Sequence, residues 1–352
     1  MEPPESPWPE DGLEHVGACP VCASTLRTTV HRDLKDRLFF SAPGSWDMHL
    51  CGSCGSGYLD PRPNSATIGL AYASYYTHSP PLVHKQTSLS RHRFRRMAQR
   101  NAYLNRVYGY NLQPATSSRP LFLGTDRKQR WDKHVGYLPF PGRGSRLLDV
   151  GCGNGKFVAQ MQSVGWEASG IDPDPVSSAQ AVAAGLDVRS GSIETLPGIE
   201  NSSFDAVSLH HVIEHLHKPL ETLRRCWQIL KPGGTIVIAT PNFSSLGHYA
   251  FDADWFHLSP PMHLVIFTSD SLRGALEATG FVPDLECRPR LGAAEVFQRS
   301  QQIRRRGDPM RMKPRLSLAD SLRTRLLAWR ADRATRAKQE LTEEIVLLAR
   351  RP

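Results

Sequence analysis

The feature that most constrains the fold is an alternation of short apolar strands with helical segments that begins at residue 144. Seven strands are predicted: Arg146–Val150, Glu167–Ile171, Leu186–Ser190, Phe204–Leu209, Thr235–Thr240, Phe281–Arg288 and Glu344–Arg350. Strands that alternate with helices of roughly 10–15 residues imply a parallel sheet with helices on both faces. We therefore predict an α/β fold built on a doubly wound, Rossmann-like sheet.

A glycine-rich turn follows the first predicted strand and leads into a helix. Its sequence is LLDVGCGNG over 147–155. Glycines at such a turn let the backbone approach a ligand, and the start of the helix contributes N–H dipoles. The glycine spacing matches neither the dinucleotide fingerprint nor a P-loop. Asp172 ends the next strand, 17 residues after Gly155, where a carboxylate can accept hydrogen bonds from two ribose hydroxyls.

Four of the seven cysteines are paired by spacing, as Cys19-Pro-Val-Cys22 and Cys51-Gly-Ser-Cys54. Two such units supply four thiolates, which is the tetrahedral ligand set of a structural Zn²⁺. A dithiol redox site is the alternative, but it needs a pair at the start of a helix, and both pairs here lie among turn residues. We predict a zinc ribbon with a core separate from that of the sheet.

Four motifs occur in order in the α/β part: LLDVGCGNG (147–155), GID (170–172), SFDAV (203–207) and LKPGG (230–234). Together they resemble the class I S-adenosylmethionine-dependent methyltransferases over about 144–290 and, through the last strand, the C-terminus. The resemblance implies a seven-stranded sheet whose last strand is reversed and antiparallel. It also implies that S-adenosyl-L-methionine is the cofactor.

The resemblance assigns the cofactor-binding residues as well. They are Asp149, Gly151, Cys152 and Gly153 at the glycine loop, Asp172 and Pro173 at the ribose, Ser192 and Ile193 at the adenine edge, and His210 at the end of strand four. The four-cysteine ribbon, Tyr72-x2-Tyr75-Tyr76, HVIEH (211–215) and PMH (261–263) resemble bacterial methyltransferases of sugar and surface-glycan gene clusters. This similarity implies a sugar, glycolipid or related metabolite as the methyl acceptor.

A cluster of histidines and one glutamate follows strand four. His211 and His215 are four residues apart, so on a helix they share a face with Glu214 beside them. In one interpretation His215 or His211 is a general base that takes a proton from an acceptor hydroxyl while Glu214 orients it. In a second, these residues and His263 bind a divalent metal. A third is purely structural. We favour the base and name His211, Glu214, His215 and His263 as catalytic, because a hydroxyl acceptor needs proton removal.

The net charge of +9 is concentrated in two segments. Residues 85–106 contain seven Lys/Arg and no acid, and residues 301–352 contain fourteen Lys/Arg against six acids. Such patches suit a phosphorylated substrate, a nucleic acid or an anionic membrane surface. Strand four is not followed by the Asn/Asp-Pro-Pro-aromatic element of amino-group base methyltransferases. RNA methylation at the ribose 2′-hydroxyl therefore stays an alternative, as does a non-catalytic protein whose ribbon docks a partner.

An apolar stripe near the C-terminus consists of Leu316, Leu318, Leu322, Leu326, Leu327 and Trp329, with arginines around it. A basic amphipathic helix can lie on an anionic bilayer. The favoured interpretation is instead a helix packed on the sheet edge with a solvated basic face. No apolar run approaches the ~20 residues of a membrane span, and no secretory signal is visible at the N-terminus. The expected location is the cytoplasm, with peripheral membrane contact as an alternative.

The predicted organisation has six parts. They are a disordered tail (1–16), the zinc ribbon (17–60), a helical or irregular connecting region (61–143), the S-adenosylmethionine-binding core (144–290), a basic helical insertion (291–342) and the last core strand (343–352). Within the connecting region, a basic helix with one apolar stripe is predicted near 91–110, and little regular structure over 112–143.

Overall fold

The computed structural model describes residues 7–72, 91–116, 125–284, 292–306, 309–310, 317–336 and 338–352. The chain divides into two compact units. The cysteine unit comprises 1–75, 211–223 and 238–347, and the glycine-loop unit comprises 76–210, 224–237 and 348–352. This division does not follow the predicted domain boundaries, because segments from the middle and end of the chain belong to the same unit as the N-terminal ribbon.

The described strands and helices have the following bounds. The strands are β1 Leu13–Glu14, β2 Arg27–Leu34, β3 Trp46–Cys51, β4 Gly57–Leu59, β5 Arg62–Pro63, β6 Arg146–Val150, β7 Glu167–Asp172, β8 Val188–Ser190, β9 Phe204–His210, β10 Leu230–Pro241, β11 Val265–Ile266, β12 Val282–Pro283 and β13 Glu344–Arg350. The helices are α1 Arg91–Tyr108, α2 Thr125–His134, α3 Lys156–Gln162, α4 Pro175–Ala183, α5 Pro219–Ile229, α6 Leu246–Phe251, α7 Ser269–Ala278, α8 Ala293–Arg304 and α9 Leu318–Thr335. In the described part of the chain, no helix is both long and apolar enough to cross a bilayer.

The seven-stranded sheet has the order β12-β13-β10-β9-β6-β7-β8. The β6, β7, β8 and β9 strands pair in parallel. The last strand, β13, runs antiparallel to β10. The N–H of Arg351 donates to Gly234 O near the start of β10, and the N–H of Asn242, just after β10, donates to Glu343 O. The predicted mostly parallel seven-stranded α/β sheet is confirmed. Of the predicted strand Phe281–Arg288, the structure describes residues 281–284. In that part the strand is β12, which spans Val282–Pro283.

Local sequence signals account for several helix ends of this sheet. Asp174 caps α4 by accepting hydrogen bonds from the N–H groups of Val176 (3.0 Å) and Ser177 (3.2 Å), and Pro175 occupies the first helical position. Thr268 and Ser271 form a reciprocal capping box at the start of α7. These signals place helix starts independently of tertiary packing.

The ribbon belongs to a larger sheet than its own residues provide. The β2, β3 and β4 strands are antiparallel, and β11 adds a fourth strand through Val265 opposite Tyr58. One buried cluster joins Trp46 and Met48 of β3 to Trp255 and Phe297. The expectation of a separate ribbon core is therefore wrong, because so short a segment buries its apolar face only against later parts of the chain.

The N-terminal tail is ordered from residue 7 onward. Trp8 is buried, its indole N–H lies 3.2 Å from Thr67 Oγ1, and its ring meets Trp46 edge-on at 5.3 Å. The β1 strand pairs with β5. The prediction of a disordered tail over 1–16 thus fails for residues 7–16. One tryptophan burying its ring outweighed the Pro-rich, acidic composition.

The connecting region contains two helices. The predicted helix α1 is present and buries Tyr103, Leu104 and Tyr108. Phe94 and Val107, which belong to the apolar stripe predicted for it, are each 48% exposed. The α2 helix was not predicted, because its sequence is mostly charged and polar. The hydroxyls of Tyr103 and Tyr108 both donate to Asp132 Oδ1 in α2, at 2.7 and 2.9 Å, so tertiary hydrogen bonds help to hold this helix. Tyr75 and Tyr76 lie outside the described residues.

The basic insertion forms α8 and α9, which pack on each other. The buried residues of α9 are Thr324, Ala328, Ala331 and Thr335. The helix therefore packs through its small residues. The expectation that its leucine and tryptophan stripe faces the protein is not what the structure shows, because a helix lined with Ala and Thr approaches its neighbour more closely than one lined with Leu.

Candidate functional site

The glycine loop of the glycine-loop unit has a backbone that suits glycine. Gly151, Gly153 and Gly155 all have positive φ, of 69°, 52° and 75°, a region that side chains disfavour. The N–H groups of Gly151 and Cys152 donate to Ile171 O at 2.8 and 3.0 Å, which ties the loop to the end of β7. A Cβ on Gly155 would lie 2.6 Å from Leu186 Cδ1. The loop is thus closely packed at Gly155, against Leu186. Gly151 and Gly153 have no side chains that would cover their backbone.

Asp172 lies where β7 ends, with its side chain at the glycine loop. Its Oδ2 accepts the N–H of Gly153 at 2.7 Å, and its Oδ1 accepts the N–H of Asp174 at 2.9 Å. Burial raises the pKa of Asp172 above its usual range, and the two amide hydrogen bonds oppose that rise. Each carboxylate oxygen has a second lone pair, so the group can still accept hydrogen bonds from the hydroxyls of a ribose.

Asp149 and His210 end the neighbouring strands β6 and β9. Asp149 Oδ1 accepts a hydrogen bond from Ser208 Oγ at 2.6 Å and lies 3.7 Å from His210 Nδ1. The His210 ring packs edge-on against Phe157 at 4.6 Å. Its Nδ1 is buried without a hydrogen-bond partner among the described residues. A buried polar atom of this kind at a strand end can bond a polar group of a bound molecule.

The remaining predicted cofactor residues lie around the same strand ends. Gly191 donates its N–H to Asp172 O at 2.9 Å, which holds the following Ser192 and the buried Ile193 next to Asp172 in the fold. Pro173 is exposed. Cys152 is buried and packs on β7, where a Cβ on Gly170 would lie 2.6 Å from its Sγ. The predicted cofactor residues thus lie around the carboxyl ends of β6 to β9, where the Asp172 carboxylate and the His210 Nδ1 fit a polar nucleoside-like cofactor.

The histidine cluster belongs to the cysteine unit. Ile213–His215 forms a 3₁₀ turn, and His211 precedes it with φ of 56°. The expectation that His211 and His215 share one α-helical face is therefore wrong. A left-handed backbone at a non-glycine residue costs of order 1–3 kcal/mol and is concentrated at functional sites. This backbone conformation gives the His211 side chain a direction different from those of Glu214 and His215 in the turn.

Glu214 is the buried centre of the cluster. It is fully inaccessible, accepts a hydrogen bond from Thr240 Oγ1 at 2.9 Å, and has Oε1 3.4 Å from His211 Nδ1. Burial by itself raises the pKa of Glu214, but the His211 interaction and the neighbouring imidazoles outweigh it and lower the pKa to about 2. Glu214 is therefore a buried carboxylate at neutral pH.

His215 and His263 are neutral imidazoles whose tautomers follow from their partners. His215 Nδ1 lies 2.9 Å from Met262 O, and His263 Nδ1 lies 2.7 Å from His257 O. A carbonyl oxygen only accepts, so each Nδ1 bears the proton and each Nε2 has the lone pair. Burial lowers the pKa of His215 and lowers that of His263 to about 3. One ligand atom from each of Glu214, His215 and His263 lies within 4.8 Å of the others.

His211 is the accessible member of the cluster. Its side chain is 38% exposed, with Nδ1 3.4 Å from Glu214 Oε1 and Nε2 3.5 Å from Glu344 Oε1. Of the four residues predicted as catalytic, His211 is thus the most accessible, and carboxylate oxygens lie near both of its ring nitrogens. His215 is partly buried, and Glu214 and His263 are buried.

Three contacts of this cluster were not predicted from the sequence. Tyr72 Oη lies 2.9 Å from His215 Nδ1, Thr240 donates to Glu214, and Glu344 approaches His211. The one available signal was the acid pair Glu343-Glu344 at the start of the apolar strand β13, since charged residues beside a buried strand usually have a partner.

The four ribbon cysteines are free thiols that converge on one point. The Cys19 and Cys54 sulfurs are 3.6 Å apart, those of Cys22 and Cys51 are 3.5 Å apart, and all four lie within 4.8 Å of one another. A tetrahedral zinc ion with Zn–S of about 2.3 Å separates its sulfurs by about 3.8 Å. The hydrogen bond with Cys19 lowers the pKa of Cys54 to about 4. This donor set fits Zn²⁺, as its spacing predicted.

The α/β part is similar to known methyltransferases. Residues 123–285 match a family model described as a methyltransferase domain. The ubiquinone biosynthesis O-methyltransferase of Xanthomonas campestris pv. campestris is 38% identical over 105 residues, which are 28% of this chain and 44% of that protein. The protein of the same description in Xanthomonas oryzae pv. oryzae is 37% identical over the same lengths. The chain thus spans less than half the length of these curated relatives.

Two solved structures illustrate the structural comparison. A SAM-dependent methyltransferase from Archaeoglobus fulgidus is 23% identical, with 63% of this chain and 92% of that chain covered and a TM-score of 0.43. An S-adenosylmethionine-dependent methyltransferase from Mesorhizobium loti is 19% identical, with 63% and 98% covered and a TM-score of 0.43.

Proposed function

We propose that this chain, whose residues 123–285 form a methyltransferase domain, transfers a methyl group from S-adenosylmethionine to a hydroxyl of a sugar, glycolipid or related small metabolite. The observation that supports a hydroxyl acceptor is His211, half-exposed and flanked by the carboxylates of Glu214 and Glu344. A hydroxyl is a poor nucleophile until its proton is removed. The curated relatives are also described as O-methyltransferases.

The glycine-loop unit is proposed to hold the cofactor. Asp172 would accept the ribose hydroxyls, and the bare backbone at Gly151 and Gly153 would admit the cofactor closely. His210 Nδ1, buried without a partner among the described residues, would meet a polar group of the bound molecule. When bound, S-adenosylmethionine supplies a methyl group already activated by its sulfonium. The protein therefore contributes mainly alignment and proton removal.

His211 is proposed as the general base. It directly follows His210 in the chain, and it is the most accessible of the four clustered side chains. The Glu214 and Glu344 carboxylates orient its ring and stabilise the positive charge that forms when it takes the acceptor proton. His215 suits this role less well, because burial lowers its pKa and Met262 fixes its Nδ1 proton.

Glu214, His215 and His263 are proposed to position His211. Their two imidazole lone pairs and one carboxylate are also the donor set of a divalent cation. If a cation binds there, it supplies a Lewis acid for the acceptor oxygen, while Thr240 and the two carbonyls keep the ligands oriented. Cys19, Cys22, Cys51 and Cys54 are proposed to hold one structural Zn²⁺.

The test uses S-adenosylmethionine with a labelled methyl group and a panel of acceptors. The panel contains nucleotide sugars, a lipid-linked saccharide, a polyhydroxylated phenol and transfer RNA. We expect label in an ether that resists mild base, on one of the first three classes. Label on RNA would instead support the ribose 2′-hydroxyl alternative and contradict the proposed acceptor.

The cofactor assignment is tested by calorimetry of Asp172→Ala. Loss of hydrogen bonds to a charged acceptor costs about 2–3 kcal/mol, so affinity for S-adenosylmethionine should fall roughly 30- to 150-fold. Asp174→Ala is the matched control, because Asp174 caps α4 and its loss should leave affinity within about threefold. Unchanged affinity in Asp172→Ala would show that the ribose does not bind at the end of β7.

A further inference from the structure

The exposed face of α9 is an apolar stripe. Leu318, Leu322, Leu326 and Trp329 are 85, 67, 49 and 58% exposed. At 100° per residue these four positions fall within an arc of roughly 80° on the helix. The opposite face packs against the protein through Ala and Thr side chains. A soluble helix ordinarily buries its large apolar residues and exposes its small ones. In contrast, α9 exposes these four large residues, and Leu327 is only partly buried against the core.

Arginines border the stripe on both sides. Arg325 lies on one edge and Arg323 and Arg330 lie on the other, while the Arg333 guanidinium lies 5.9 Å from the Trp329 ring centroid. The described residues of α9 thus place three of its arginines beside the stripe and a fourth on it. Leucine and tryptophan next to arginine is the composition of helices that lie in the interface of a bilayer.

The two acids of α9, Asp320 and Asp332, are bonded to the rest of the protein. Asp320 pairs with Arg305 at 2.8 Å, and Asp332 Oδ1 accepts the N–H of Ala293 at the start of α8 at 3.2 Å. Asp320 also interacts electrostatically with Arg323, but the four arginines on and beside the stripe outnumber the two acids. The face therefore combines exposed apolar area with positive charge, which complements a surface that is both apolar and anionic.

We propose that α9 docks the protein on an anionic phospholipid surface. The helix of 18 residues would lie parallel to the membrane, with the four apolar side chains below the headgroups and the arginines among the phosphates. The proposal concerns a surface and does not depend on the methyl acceptor. If both proposals hold, the membrane surface would bring the enzyme to lipid-linked acceptors.

The test is flotation of the full chain with vesicles. One set is phosphatidylcholine alone, and the other contains about a third phosphatidylglycerol. We expect binding to the anionic vesicles that weakens as salt is raised. Arg323→Gln with Arg330→Gln should weaken it about 25-fold, since each arginine near such a surface contributes about fivefold.

The apolar stripe is tested by Leu322→Ser with Leu26→Ser as the matched control. The two leucines are equally exposed, at 67 and 66%, but Leu26 lies just before β2 and away from α9 in the fold. Leu322→Ser should weaken binding about tenfold, and Leu26→Ser should not change it. Thermal unfolding of both variants checks that the fold is intact, which the exposure of both side chains favours.

Two outcomes would overturn the proposal. The first is absence of binding to anionic vesicles at low salt, or equal binding by Leu322→Ser and the native chain. The second is a concentration-dependent dimer, observed by sedimentation, that the substitution Leu322→Ser dissociates without affecting vesicle binding. That result would assign the stripe to contact with a second copy of the chain. Neither outcome bears on methyl transfer, which is measured with soluble acceptors.

Discussion

His211 and His215 belong to one short motif but differ in their surroundings. His211 is accessible and lies between two carboxylates, whereas His215 is held by Met262 and Tyr72. Because a base must reach the acceptor proton, accessibility separates the two roles. A side chain behind the base can still control turnover by fixing its orientation.

We expect His211→Gln to lower turnover by ~10²–10⁴ while affinity for S-adenosylmethionine stays nearly unchanged. Replacing an ionisable base by an amide should also change the pH dependence of turnover. His215→Gln is the comparison, and if His215 only positions its neighbours the pH dependence should persist at reduced turnover. A His211→Gln enzyme with more than about a third of native turnover would contradict the base assignment.

The donor set of Glu214, His215 and His263 gives a second prediction at the residue scale. If the trio binds a divalent cation that turnover needs, a weak chelator should abolish activity and Mg²⁺, Mn²⁺ or Zn²⁺ should restore it. The chelator must spare the four-thiolate site, so zinc content is measured alongside activity. Full activity after chelation, with ribbon zinc retained, would leave the trio as a positioning group only.

At the scale of elements, the ribbon is connected to the histidine cluster by backbone hydrogen bonds. Leu59 at the end of β4 donates to Leu264 O at 3.1 Å, and Leu264 donates to Glu214 O at 2.8 Å. Arg62 of β5 donates to His217 O at 3.1 Å. The strand β11 also pairs with β4. The ribbon therefore holds part of the cluster, besides closing its own turns.

We expect about one zinc per chain in freshly reduced native protein, and less than about a tenth of that in Cys51→Ser. Because the ribbon sheet shares its core with Trp255 and Phe297, this variant should also lose on the order of 3 kcal/mol or more of stability and most turnover. Cys226→Ser is the control, since Cys226 is fully buried in the other unit. It should keep its zinc despite some destabilisation, and a zinc-free native protein would refute the ribbon assignment.

At the scale of the whole molecule, partly buried histidines make stability depend on pH. Burial lowers the pKa of His134 to about 4 and that of His248 to about 4. An unfolded histidine titrates near ~6.5, so between these values the unfolded chain binds more protons than the folded chain. The free energy of unfolding should therefore fall as pH drops from about 6.5 to about 4. Glu343, whose pKa burial raises to about 7, acts in the opposite sense.

We expect His134→Gln to remove about 2–3 kcal/mol of this acid destabilisation by pH 4, with little gain at pH 8. The measurement is chemical unfolding of the native chain and the variant from pH 8 to 4. Comparing the two chains removes the contribution of Glu343, which is common to both. If the difference in stability between the native chain and the variant does not change with pH, folding does not lower the pKa of His134 and the prediction is wrong.

The sequence by itself determined the features whose signals are local. The alternation of strands and helices predicted the sheet. The glycine loop and Asp172 predicted which strand ends lie together, because parallel strands bring their carboxyl ends to one edge. The spacing of the paired cysteines predicted that the four sulfurs lie together, since two tight turns with a tetrahedral ligand set allow few arrangements of the chain. Helix caps such as Asp174 are equally local.

Tertiary structure decided the features that depend on distant residues. The ordered tail depends on Trp8 meeting Trp46, and the ribbon sheet takes its fourth strand from β11. The choice of His211 over His215 depends on Glu344, a residue over a hundred positions away. The sequence of α9 contains both an apolar and a small-residue face, and only packing showed which one is buried. Burial and long-range pairing are properties of the assembled core, so periodicity within one segment does not specify them.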